Sequence, residues 1–189
     1  MKIKHLGITA VIALSTSSFI SPDEGNKTIF EFNKNANISS WKTLNDNVMG
    51  GVSASTFKIS SEGHGVFEGK VSTANNGGFA SVRYTSSVSI EKYNSIKIRL
   101  KGDGKNYQFR IKKNANDFES YITSFPTSGN WETVEIKLND LYPSFRGKKL
   151  NQPNFGGVKF EEMSFLIGNK KNESFKLILD KIDLELEKG

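Results

Sequence analysis

No cysteine occurs in the 189 residues, so the chain forms no disulfide and offers no thiolate as nucleophile or metal ligand. Histidine is nearly as scarce. Of the two present, His5 belongs to the N-terminal stretch and His64 stands alone inside Ser61-Glu62-Gly63-His64-Gly65. A lone loop histidine, with no nucleophile or orienting acid beside it, gives no support to a catalytic triad. It also leaves zinc and other transition metals without a ligand set. No spaced pair of acids stands out, so glycoside hydrolysis has no positive signal. Phosphate-binding motifs are missing too: Met49-Gly50-Gly51-Val52-Ser53 lacks the P-loop lysine, and no helix pattern follows Gly102-Asp103-Gly104,. The expectation is a protein that is not an enzyme and needs no cofactor.

Charge of one sign is not concentrated either. The formal net charge is +6, yet Lys112-Lys113, Lys148-Lys149 and Lys170-Lys171 are separated pairs in turn-like contexts rather than the basic stripe of a nucleic-acid binder. Long apolar runs are absent after the N-terminus. Lys2 and Lys4, the run 6–14 and the small residues 15–18 have the layout of a secretory signal peptide over residues 1–21,. The run is too short for a stable membrane span. Cleavage after Ser18 or Ser21 would leave 24 basic against 20 acidic residues, about +4. The expected location is periplasmic or extracellular.

Sustained helical periodicity is the last absence, and strand alternation fills its place. Ile96, Ile98 and Leu100 alternate with Lys97 and Arg99. Tyr107, Phe109 and Ile111 oppose Gln108, Arg110 and Lys112. Val134, Ile136 and Leu138 alternate with Glu135 and Lys137. Similar segments run over 28–32, 52–59, 65–72, 79–85, 121–125, 162–167 and 174–187. In the last of these Phe175, Leu177 and Leu179 keep one phase and Ile182, Leu184 and Leu186 the other, so a β-bulge is expected at Asp180-Lys181. Fourteen Phe supply core volume,. About ten short strands in a single domain over 28–188 predict a β-sandwich or closed barrel. Short helices are expected at 139–142 or 160–163, and Gly102-Asp103-Gly104 reads as a hairpin turn.

Two glycine pairs punctuate this pattern. Asn45-Asp46-Asn47-Val48-Met49-Gly50-Gly51-Val52-Ser53 and Asn75-Asn76-Gly77-Gly78-Phe79-Ala80-Ser81-Val82-Arg83 each open into an alternating segment,. With Lys101-Gly102-Asp103-Gly104, Tyr107-Gln108-Phe109-Arg110, Phe145-Arg146-Gly147 and Phe165-Leu166-Ile167, these stretches resemble the complex I intermediate-associated protein 30 family, over nearly all the chain after residue 28. The resemblance implies a jelly-roll β-sandwich of the galactose-binding-like type. It also implies the work of an assembly chaperone, which binds intermediates of respiratory complex I.

Outward positions of the strands and the loops around them are the expected binding surface. Arg83, Arg99, Gln108 and Arg110 would share one concave face, with Trp41, Asn45, Asp46, Asn75, Asn76 and Phe79 on rim loops. Tyr142, Phe145 and Arg146 fall in a long loop over 141–147 that either binds or covers an end of the core. Arginine forks and amides grip sugars, carboxylates or peptide backbone, and aromatics add stacking area. Trp41 and Trp131 also read as core anchors, since a buried indole fills much volume. Glu31, Asp46 and Asp180 are weak calcium candidates. Two expectations follow: a chaperone-like, protein-binding module serving an envelope or secreted complex, or a carbohydrate-binding module.

Overall fold

Alternation sorts the side chains into layers. In Asn106–Lys112, Tyr107, Phe109 and Ile111 are buried while Gln108, Arg110 and Lys112 are half-exposed, as the sequence pattern requires,. The computed structural model describes residues 25–46 and 50–186. The expected signal peptide, and Asn47, Val48 and Met49 of the first glycine corner, lie outside these residues.

Thirteen strands form among the described residues: β1 Asn26–Glu31, β2 Trp41–Asn45, β3 Ala54–Ile59, β4 Gly65–Val71, β5 Ala80–Ser89, β6 Ser95–Lys101, β7 Asn106–Lys112, β8 Ser120–Pro126, β9 Trp131–Lys137, β10 Tyr142–Phe145, β11 Lys148–Lys149, β12 Lys159–Ile167 and β13 Glu173–Glu185. They build two antiparallel sheets. The first, sheet A, has the order β3-β4-β13-β6-β9 with β1 also on β13; sheet B has the order β11-β10-β8-β7-β12-β5-β2. The sheets form a jelly-roll sandwich. Phe67, Ile96, Ile98, Leu177 and Leu184 of sheet A face Val82, Phe109, Met163 and Phe165 of sheet B, all fully buried. Each such side chain contributes about 1.5–3 kcal/mol by leaving water.

The expected bulge is present. Register with β6 shifts between Leu179 and Lys181, and the same point divides the other edge of β13. Glu173–Leu179 pairs with β4, and from Lys181 onward the partner is β1. The Asp180 carbonyl accepts the Phe32 amide at 2.9 Å, and the Asp180 carboxylate lies 3.1 Å from His64 Nδ1. Asp180 therefore stitches the end of β1 to the start of β4.

Several local expectations are corrected. Residues 160–163 are strand rather than helix, and only a 3-10 turn, Leu138–Asp140, lies near 139–142. Gly102-Asp103-Gly104 is not a hairpin turn, because β6 lies in sheet A and β7 in sheet B. The turn crosses between sheets, held by Asp103, which accepts Lys105 Nζ at 2.7 Å, Tyr107 Oη at 3.0 Å and the Lys176 amide at 2.9 Å. The loop expected over 141–147 contains β10, whose Pro143 sits opposite Tyr121. Trp41 is not on a rim. It is 4% exposed and packs among Phe30, Phe32, Phe57 and Tyr84 with ring centroids 4.9–5.4 Å away, closing one end of the core.

Candidate ligand-binding face

The two glycine corners fold around one buried carboxylate. Asp46, 5% exposed, accepts hydrogen bonds from the Ser53 amide (3.2 Å) and hydroxyl (2.7 Å) on one side, and from the amides of Gly78 and Phe79 on the other. Burial works against its ionisation, but the donors from Gly78, Ser53 and Phe79 outweigh that and hold the carboxyl below its ordinary value,. A Cβ on Gly51 would strike the Asp46 carboxyl, and one on Gly77 would come 2.5 Å from Asp46 Oδ2. Asn75 and Asn76 take left-handed backbone angles, and Asn75 Nδ2 donates to the Gly50 carbonyl at 3.0 Å. Asn45 accepts the Ser55 hydroxyl at 2.6 Å, and Phe79 is half-buried. The group expected on the rim is thus a structural clamp joining β2, β3 and β5.

This geometry also corrects the calcium expectation. The Asp46 oxygens are occupied by N–H and O–H donors, Asp180 faces His64, and Glu31 is exposed on β1. No group of three metal-ligating side chains occurs among the described residues.

Sheet B carries the polar face. Register aligns Lys42, Arg83, Ser164, Arg110, Ile122 and Tyr142 in a row across six strands. The neighbouring row brings Ser81, Leu166, Gln108 and Ser124 together, and the row on the other side Thr85, Glu162 and Lys112. Arg83, Gln108 and Arg110 therefore do share a surface, and Tyr142 joins them. Arg110 is clamped in place: Nε and Nη2 both donate to Gln108 Oε1, at 3.1 and 2.9 Å. Burial, and then the neighbouring charge of Arg83, push its pKa down from the usual arginine value. Glu162 Oε2 lies 3.8 Å from Arg83 Nη1.

Arg99 does not belong to this group. It lies on β6 in sheet A, exposed, with its guanidinium 5.5 Å from the Trp131 ring. Trp131 is no core anchor either; it is half-buried and its ring also meets His64 at 4.8 Å. Phe145 and Arg146 mark a rim of sheet B. Phe145 contacts Phe118 edge-on at 5.3 Å, with Arg146 over its ring.

Sequence reasoning missed Glu162, Ser164 and Phe118. Glu162-Met163-Ser164-Phe165 does alternate polar with apolar, and inward Met163 and Phe165 fix the outward phase of the other two. Phe118, 63% exposed, sits in a polar loop with no periodic signal.

Known proteins with this architecture carry the fold at low sequence identity. A family 11 carbohydrate-binding module from Clostridium thermocellum, solved with a β-1,3-1,4-mixed-linked tetrasaccharide, superposes with a TM-score of 0.63 at 18% identity, covering 85% of this chain and 95% of its own. The family 11 module of a Clostridium thermocellum cellulosomal cellulase gives 0.64 at 16% identity, over 86% and 95%. An agarase gives 0.58 at 10% identity over 88% of this chain but 25% of its own length. No curated protein matches the chain. A sequence profile does: it runs over residues 30–179, an interval that takes in the Asp46 clamp and most of both sheets. By that match the chain belongs to the complex I intermediate-associated protein 30 family.

Proposed function

We propose that this protein is an exported, non-catalytic binding module that takes an oligosaccharide on the outer face of sheet B. The observation that carries the reading is the register row Arg83–Ser164–Arg110–Ile122–Tyr142. The Arg110 fork fixed by Gln108, the half-buried Arg83 and the hydroxyls of Ser164 and Tyr142 lie along this row, with the Gln108 amide in the row beside it, and such groups match the donors and acceptors of a sugar. The family 11 modules, of the same architecture, support it by analogy of fold,. Export rests on the signal-peptide pattern of residues 1–21.

The test is a glycan array run beside a pull-down from envelope and secreted fractions. Arg110→Ala is expected to weaken glycan binding about tenfold, the loss of one charge-assisted contact, and to move the urea midpoint little. An array with no binder would defeat the reading, and so would gross unfolding of the variant.

A second reading, chaperone-like binding of a protein partner, is favoured by one feature. Phe118 and Phe145 expose an apolar edge at the rim of sheet B, where aromatics with arginine resemble the anchors of protein interfaces. It expects a captured protein to be lost on Phe118→Ala while glycan binding persists. Capture unaffected by that substitution would remove it.

A further inference from the structure

The charges on the sheet B face do not balance. Arg83 on β5 and Arg110 on β7 flank Ser164 of β12 in one register row, two strand spacings or about 10 Å apart at the backbone. One carboxylate, Glu162, faces the pair; it is 7% exposed and lies beside Arg83 at 3.8 Å. The remaining cations of the face do not neutralise anything there. Lys112 turns its Nζ to the carbonyls of Ala115 and Asp117 at 3.4 and 2.7 Å, Lys149 holds its Nζ 5.1 Å from the Tyr142 ring, and Lys42 is exposed on β2.

The Arg110 fork is held in one orientation by Gln108 through Nε and Nη2, and no hydrogen bond engages its Nη1 among the described residues. Two guanidinium groups, partly withdrawn from water and sharing one carboxylate, are a site short of one negative charge. Repulsion between them is already felt, since Arg83 lowers the pKa of Arg110 after burial does. An anion placed between them relieves it.

We propose that the ligand is an acidic oligosaccharide whose uronate carboxylate sits between Arg83 and Arg110 over Ser164. This rests on the sugar-binding reading of the same face. A planar carboxylate matches a guanidinium fork with two parallel hydrogen bonds, and Ser164 supplies a hydroxyl from the strand between. Tyr142, one strand beyond Ile122 in the row, carries Lys149 Nζ over its ring at 5.1 Å, and its hydroxyl is the group it can offer a neighbouring sugar.

The decisive experiment is calorimetric titration of the protein with oligomers of galacturonate, glucuronate, mannuronate and guluronate, each beside its carboxyl-reduced neutral counterpart. At least one acidic oligomer is expected to bind ten or more times tighter than its neutral partner, with the ratio shrinking as salt rises. Arg83→Gln is expected to remove most of that ratio while the protein still unfolds cooperatively, at a midpoint lowered by the loss of the Glu162 partner,. Equal binding of acidic and neutral partners, or a ratio indifferent to Arg83→Gln, overturns the anion assignment and leaves the sugar reading standing. Binding to neutral members alone does the same; binding to none overturns the anion assignment, and the sugar reading then stands or falls on the glycan array.

Discussion

Asp46→Ala is expected to lower the unfolding free energy by about 4 kcal/mol, a large share of a typical 5–15 kcal/mol margin. The carboxylate accepts from Ser53 twice and from Gly78 and Phe79. Hydrogen bonds to a charged group contribute about 1.5–3 kcal/mol each but do not add fully. Removing it strands amides at both corners, and water must then enter a place that is 5% exposed. Urea unfolding followed by tryptophan fluorescence in a Trp131→Phe background reads the loss, because Trp41 begins the strand that ends beside Asp46. The same residue makes stability depend on pH with a definite sign. Its folded pKa lies below the unfolded value, so the contribution is full above about pH 3.9 and drains away as pH falls through the folded value. Asp46→Asn should flatten that acid limb. An alanine variant within about 1 kcal/mol of the parent would mean the corners stand without the clamp.

Gly69→Ala should be nearly as damaging, by about 3 kcal/mol or more. Gly69 lies in β4 between Ser55 of β3 and Phe175 of β13, and an added Cβ would collide with the Ala54 carbonyl oxygen. Overpacking against a side chain is relieved by a rotamer change, typically at 1–3 kcal/mol. Here the obstacle is backbone, so β3 must lift from β4 and give up ladder hydrogen bonds along the sheet edge. The fluorescence midpoint would fall, and amide exchange in β3 would quicken before that in β13. Unchanged exchange in β3 would show that the strand pair accommodates the methyl group.

Much of the fold was legible because burial writes itself as parity. Residues 174–187 announced the bulge through a change of phase, and Gln108 and Arg110 were assigned outward because Tyr107, Phe109 and Ile111 had to point in. Parity says in or out; it does not say which sheet. Arg99 was grouped with Arg110 for that reason, although the chain changes sheets between them at Gly102-Asp103-Gly104. Strand β10 was hidden by Pro143, which demotes a strand pattern, and β2 by its edge position and poor alternation. The glycine pairs were visible as corners, but their cause lay in Asp46, brought to Gly78 across 32 positions of sequence. Contacts of that span leave no local trace.

Sheet A is organised on β13, which pairs with β4, β6 and β1 and is the last strand among the described residues. A ribosome therefore releases the hub of the sheet after everything that depends on it. Until residues 173–185 emerge, β1, β4 and β6 have no common neighbour to pair with, and loop closure back to residue 26 spans almost the whole domain. Before that, β4 has only β3 beside it and β6 only β9, so sheet A exists as two separate pairs and closes when β13 joins them.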